Sequence, residues 1–139
     1  MQLSEIMTRT LATAAMDEPV SVAAKRMREL NVGCLVITNA GAPEGIITDR
    51  DLAVGCLGQG HDCAECPVWH HMSRPVITVP PTLDVIEAIH LMSQKRIKRL
   101  PVVERGMVVG LVSFSDAARA LEGAMHDLLQ GMGASRKAA

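Results

Sequence analysis

Two aspartates follow a hydroxyl residue by three positions in the same local setting. Gly45-Ile46-Ile47-Thr48-Asp49-Arg50-Asp51 and Gly110-Leu111-Val112-Ser113-Phe114-Ser115-Asp116 each read as a glycine, two aliphatic residues, a hydroxyl, two variable positions and an aspartate. The aliphatic pair predicts a strand that ends at the hydroxyl, and Asp51 to Leu57 and Asp116 to Leu121 suit a helix. At such a junction, free backbone N–H groups and the helix dipole favour an anion. The spacing Thr48-x-x-Asp51 and Ser113-x-x-Asp116 also fits a capping box, in which hydroxyl and carboxylate satisfy the helix's own orphan N–H groups. Ligand binding and capping both fit the local sequence.

A second group is Cys56, His61, Cys63, Cys66, His70 and His71. Cys63-x-x-Cys66 with His70 nearby offers thiolate and imidazole, the usual ligands of zinc, and a cysteine pair at this spacing also suits a redox dithiol. A single such pair in a polar connecting segment is equally what idle thiols look like. A third group is the basic run Lys95, Arg96, Lys98 and Arg99, which reads either as an anion contact or as a solvated face.

The elements that must position these residues occur twice. Gly45 and Gly110 stand 65 positions apart, and the same shift pairs Met7 with Met72, Arg9 with Arg74, Thr13 with Thr78, Val20 with Val85, Met27 with Met92, Leu35 with Leu100, Gly41 with Gly106 and Asp51 with Asp116. Two copies are too few for a solenoid and predict a pseudo-twofold pair of small units, neither able to bury its apolar face alone. Within copy one, Leu11-Ala12-Thr13 reads as a short strand. Asp17 caps a helix whose apolar positions are Val20, Ala23, Ala24, Met27 and Leu30, and Cys34–Ile37 and Gly45–Ile47 are strands. In copy two, Val76–Val79 is extended and Thr82 caps a helix. Leu100–Val103 and Val108–Val112 form a hairpin across Glu104-Arg105-Gly106, and the last helix runs from Ser115 to about Gln130. The organisation expected is residues 1–60 for the first unit, 61–71 for a linker, 72–130 for the second unit and 131–139 for a flexible tail.

Composition narrows the function. Net charge is −1 and aromatic residues make up 1% of the chain, Trp69 and Phe114. Neither a phosphate-backbone footprint nor a base-stacking platform is compatible with that, so nucleic acid is excluded as the expected partner. Hydrophobic residues at 48%, with nine methionines, predict an aliphatic and methionine-filled core. No apolar run reaches the length of a membrane span and the N-terminus has no signal-peptide pattern, so the chain reads as cytoplasmic with reduced cysteines. No glycine-rich phosphate loop, serine nucleophile elbow or ordered acid–histidine arrangement points to an enzyme.

The doubled strand–helix–strand–strand–helix pattern and the recurring glycine–aliphatic pair–hydroxyl–x–x–aspartate motif resemble a pair of CBS domains, named after cystathionine β-synthase. Ile97-Lys98-Arg99-Leu100-Pro101-Val102-Val103 resembles that family's strand after the first helix, and Met7-Thr8-Arg9 and Met72-Ser73-Arg74 resemble its opening. The resemblance implies an α/β (α+β) fold of tandem CBS domains packed as a pseudo-twofold pair. It implies a regulatory, non-catalytic module that requires no cofactor and binds AMP, ADP, ATP or S-adenosylmethionine. Asp51 and Asp116 would then accept from ribose hydroxyls, Thr48 and Ser113 would reach ribose or phosphate, and Lys98 and Arg99 would meet phosphate. Adenine would lie near the backbone of Thr13 and Thr78. The family also implies a homodimer, for which Met125, Leu128, Leu129 and Met132 offer an apolar stripe.

Overall fold

The structure, a computed structural model, describes residues 1–138, with side chains through Gly133. A short 3₁₀ turn at Leu3–Glu5 leads in. The first half is β1 (Thr13–Ala15), α1 (Val20–Leu30), β2 (Cys34–Asn39) and β3 (Ala42–Thr48), followed by a π-helical segment, Asp51–Cys56. The second half is α2 (Val85–Lys95), β4 (Arg99–Glu104), β5 (Met107–Ser113) and α3 (Phe114–Ala138). β2 pairs parallel with β1 and antiparallel with β3; β4 and β5 form an antiparallel hairpin. Among the described residues, no helix is long and apolar enough to cross a membrane.

The repeat is visible in backbone detail. Each hairpin shifts register at one place, between Ile37 and Thr38 and between Val102 and Val103, which the 65-residue shift superposes. Ala40 and Gly41 in one turn, and Arg105 and Gly106 in the other, have positive φ (51°, 84°, 53° and 78°). Two left-handed residues in succession give the turn whose twist matches the flanking strands. Both first helices end on a left-handed residue, Asn31 and Arg96.

Several local expectations need correction. Asp17 does not cap α1, whose N-cap is Pro19 with no side-chain bond. Instead, the N–H groups of Val20 and Ser21 donate to the carbonyls of Cys66 and Cys63, both at 2.9 Å. Residues 61–71 thus do more than connect the halves, since they supply the acceptors that a helix start lacks. α2 is capped by Asp84 rather than Thr82; its side chain accepts from the Ile86 N–H at 2.8 Å. In the Val76–Val79 stretch only Val79 joins a sheet, through a parallel bridge to Val102. α3 continues to Ala138, so residues 131–138, expected as a tail, extend the helix; Ala139 lies outside the described residues.

The two cores exchange their lead-in segments. Leu3 and Met7, from the start of copy one, pack with Val79, Val85, Ala88, Met92, Leu100 and Val112 of copy two. Val68 and Met72, just before copy two, pack with Val20, Ala23, Met27, Leu35 and Ile47 of copy one. Thr8 forms an antiparallel bridge to Leu111, and Ser73 forms one to Ile46. This crossing accounts for the glycine that opens each motif. A Cβ at Gly45 would lie 2.8 Å from the Ser73 carbonyl oxygen and 2.8 Å from Met72 Sδ. One at Gly110 would lie 2.6 Å from Met7 Sδ and 3.1 Å from the Thr8 oxygen. Only glycine lets the exchanged segment approach so closely.

Candidate functional site

Both strand-to-helix junctions form complete capping boxes. Thr48 N–H donates to Asp51 Oδ2 at 2.8 Å and Asp51 N–H donates to Thr48 Oγ1 at 3.2 Å. Ser113 N–H donates to Asp116 Oδ2 at 2.9 Å and Asp116 N–H donates to Ser113 Oγ at 3.1 Å. Capping leaves each carboxylate unspent lone pairs, because a carboxylate accepts at about four positions. At Asp116 the other oxygen also accepts from Arg119 Nη2 at 2.9 Å. Arg119, a cation one helical turn into α3, was missed by the sequence reading. The signal for it was an arginine three residues after the aspartate, on the aspartate's face of the helix.

The exchange of lead-in segments creates two related clefts, each lined by both copies. One, of about 260 Å³, lies between Ser113, Asp116 and Leu111 on one side and Thr8, Thr10, Leu11, Ala12, Val32, Gly33, Cys34 and Val36 on the other. The other, of about 70 Å³, is lined by Ile46, Ser73, Ile77, Ile97 and Arg99 among others. The shift by 65 maps every residue of the smaller lining onto a residue of the larger. Their inequality is decisive for ligand size: small-molecule pockets run to about 300–1,000 Å³, so the first cleft approaches that range and the second falls far below it.

The expected site residues divide between these clefts. Ser113 and Asp116 line the larger one. Arg99 lines the smaller, and the larger has Gly33 and Cys34 at the positions equivalent to Lys98 and Arg99. Thr48 and Asp51 stand at the matching junction beyond Ile46 but are not in the wall of the smaller cleft. Lys98 is exposed, and its carbonyl accepts from the Phe114 N–H at 2.8 Å, holding the start of α3. Thr13 is half-buried on β1, its carbonyl taken by Arg26 Nη1 at 2.9 Å, and its neighbours Thr10 to Ala12 form the wall instead. Thr78 is exposed, with Ile77 in the wall. Cys34, in the larger cleft, has its thiol pushed up by burial against the opposing pull of Arg99. It is a neutral thiol at neutral pH.

The cysteine–histidine group converges differently from the expected Cys63, Cys66 and His70. Ligand atoms of Cys56, His61, Cys66 and His71 lie together, while Cys63 Sγ sits 3.3 Å from Cys56 Sγ and His70 Nδ1 sits 3.6 Å from Cys66 Sγ. Burial, then contact with Cys63, pushes the Cys56 thiol up to about 12. Burial, then His61 and His70, holds the His71 imidazole below its usual range.

A family model described as CBS domain matches residues 3–56 and again residues 68–123. The chain belongs to the CBS domain family. This tandem CBS protein is 34% identical over 116 residues to the CBS domain-containing protein YhcV of Bacillus subtilis (strain 168), covering 84% of this chain and 82% of YhcV. Its fold matches the CBS domain pair of protein MJ0100, solved in complex with 5′-methylthioadenosine and S-adenosyl-L-methionine, with a TM-score of 0.78 and 29% identity, covering 89% of this chain and 98% of that one. It also matches Hypoxic Response Protein I, solved with two coordinated zinc ions, with a TM-score of 0.77 and 26% identity, covering 86% of this chain and 98% of that one.

Proposed function

We propose that this CBS pair is a non-catalytic, cytoplasmic regulatory module. It binds an adenosine-containing ligand between its repeats and passes the resulting change in geometry to a partner protein. The observation that carries the reading is the cleft of about 260 Å³ with Ser113 and Asp116 at one wall and aliphatic Val32, Val36 and Leu111 around them. A carboxylate with free lone pairs suits a vicinal diol, and aliphatic walls suit a purine face. The two ligands with which MJ0100 was solved, 5′-methylthioadenosine and S-adenosyl-L-methionine, accord with it. Among the described residues no lysine or arginine lines the larger cleft. It therefore favours the nucleoside part of a ligand, or S-adenosylmethionine, over a polyphosphate. Phosphate binding belongs to the cleft with Arg99 once that cleft opens.

A thermal-shift panel of adenosine, S-adenosylmethionine, AMP, ATP and GTP tests this, because a ligand that binds only the native state raises the melting temperature. Adenosine compounds should raise it and GTP should not. Asp116→Ala should abolish the shift from adenosine while lowering the unliganded melting point by only about 4 °C, the effect of losing a cap worth about 1 kcal/mol. No shift from any adenosine compound would reject the reading. So would an Asp116→Ala protein that melts lower yet keeps full affinity, since the aspartate would then be a cap alone.

A further inference from the structure

The connecting segment gathers four metal-binding groups into one small volume. Sγ of Cys56 and Cys66 and one ring nitrogen each of His61 and His71 all lie within 4.8 Å of one another. Cys66 Sγ is 3.1 Å from His71 Nε2 and 4.0 Å from His61 Nδ1, and the two ring nitrogens are 3.4 Å apart. A tetrahedral zinc, at about 2.3 Å from sulfur and about 2.0–2.1 Å from nitrogen, requires ligand atoms roughly 3.3–3.8 Å apart. The three distances among Cys66, His61 and His71 are thus within about half an ångström of that spacing. Cys56 Sγ lies within 4.8 Å of each of the other ligand atoms, and the chemistry, two thiols and two imidazoles, is that of a closed structural site.

The backbone around the cluster is held from several directions. Cys56 ends the π-helical segment and is fully buried. The Cys66 carbonyl accepts from the first N–H of α1, and His71 N–H donates to the Val68 carbonyl at 3.0 Å. We propose that Cys56, His61, Cys66 and His71 form a zinc site that fastens the segment between the repeats to the first half. Cys63 is outside the ligand set although it belongs to the Cys-x-x-Cys pair. Its sulfur lies 3.3 Å from Cys56 Sγ but falls outside the set whose ligand atoms are all within 4.8 Å of one another. His70 is outside it too, its ring packed on Trp69 with centroids 4.0 Å apart. Metal binding would tie the helix that begins at Asp51 to His71, and so to Met72 and Ser73, which cross Gly45.

The test uses untagged full-length protein purified under reducing conditions. After incubation with zinc and desalting, mass spectrometry of the metal should give a single zinc ion per chain. Cobalt(II) in its place should give the intense visible bands and thiolate charge-transfer absorption of a tetrahedral sulfur site. Chelation should lower the melting temperature. Cys66→Ser and His71→Ala should each weaken zinc binding by more than the roughly 100-fold that loss of an outer-shell partner causes, while Cys63→Ser and His70→Ala leave it unchanged. Far-UV circular dichroism checks that each variant is folded; if Cys66→Ser is not, the cobalt spectrum of the wild type decides. Wild-type protein that retains no zinc, or a weak octahedral cobalt spectrum, overturns the proposal. Loss of zinc in Cys63→Ser equal to that in Cys66→Ser overturns the ligand assignment. None of these readouts depends on a nucleotide, so failure here leaves the ligand-cleft reading standing, and the reverse holds.

Discussion

The difference between the clefts comes down to single residues. At equivalent positions one copy carries Gly33 and Cys34 and the other Lys98 and Arg99. A Cβ at Gly33 would lie 3.4 Å from Asp49 Oδ2 and 3.9 Å from Arg99 Nη2, ordinary van der Waals distances. Arg99 lines the smaller cleft and Lys98 beside it is exposed, and removal of the pair should act on phosphate selectively. A lost charge-assisted contact costs about 1.5–3 kcal/mol, or roughly one to two decades in affinity. Lys98→Ala combined with Arg99→Ala should weaken AMP binding by that factor and leave adenosine binding in the larger cleft intact, with the AMP deficit shrinking at high salt. Calorimetric titration of both ligands into both proteins decides. Equal losses would mean that the basic pair supports the fold, and no loss would mark a solvated face.

At the scale of the element, two substitutions probe how segments are held. Gly45→Ala places a methyl group 2.8 Å from a backbone oxygen that cannot move without breaking the bridge of Ser73 to Ile46. Overpacking of this kind costs about 1–3 kcal/mol. Gly123→Ala on α3 meets nothing within 4 Å and should stabilise the protein by about 1 kcal/mol at most. Urea unfolding of the pair gives opposite signs if the exchanged segment is seated as described. Asp84 is the second probe. The Ile86 N–H, above all, holds its carboxyl below the usual range. A group whose folded pKa is depressed contributes stability that is complete above the unfolded value, near 3.9, and is lost as pH falls through the folded value. Asp84→Ala should therefore destabilise the protein at pH 7, as cap removals do. The gap between wild type and variant should close as pH falls below about 4. A gap that persists at the lowest pH where both proteins fold would assign the loss to packing.

The whole molecule presents an apolar stripe with no cover among the described residues. Along α3, Leu121, Met125, Leu128, Leu129 and Met132 recur at helical spacing and are 41–62% exposed. The alternative, that the extension folds back on its own sheet, is inconsistent with that exposure. Exposed stripes of this kind mark interfaces, and the expected partner is a second copy. Light scattering at micromolar concentration should report twice the 14.9 kDa chain mass, and Leu128→Glu with Leu129→Glu should return it to the monomer. A wild-type monomer would dispose of the homodimer.

Much of this molecule was legible without coordinates, because repeated local rules leave repeated local marks. The hairpins, the first helix of each copy, both capping boxes and the pairing of residues by a constant shift follow from periodicity, turn chemistry and side-chain reach within a few residues. What the sequence could not convey is which copy's residues meet which. The lead-in segments cross over, so Ser113 and Asp116 face Gly33 and Cys34 while Arg99 joins Ile46 and Ser73. That exchange is a long-range packing choice, made because each half-core needs Leu3 and Met7, or Val68 and Met72, from the other end of a repeat. The same holds for the cysteines. Sequence spacing singles out Cys63 and Cys66, but the fold sets Cys66 among Cys56, His61 and His71, since a loop bent to cap α1 turns neighbours in the chain apart and brings distant ones together.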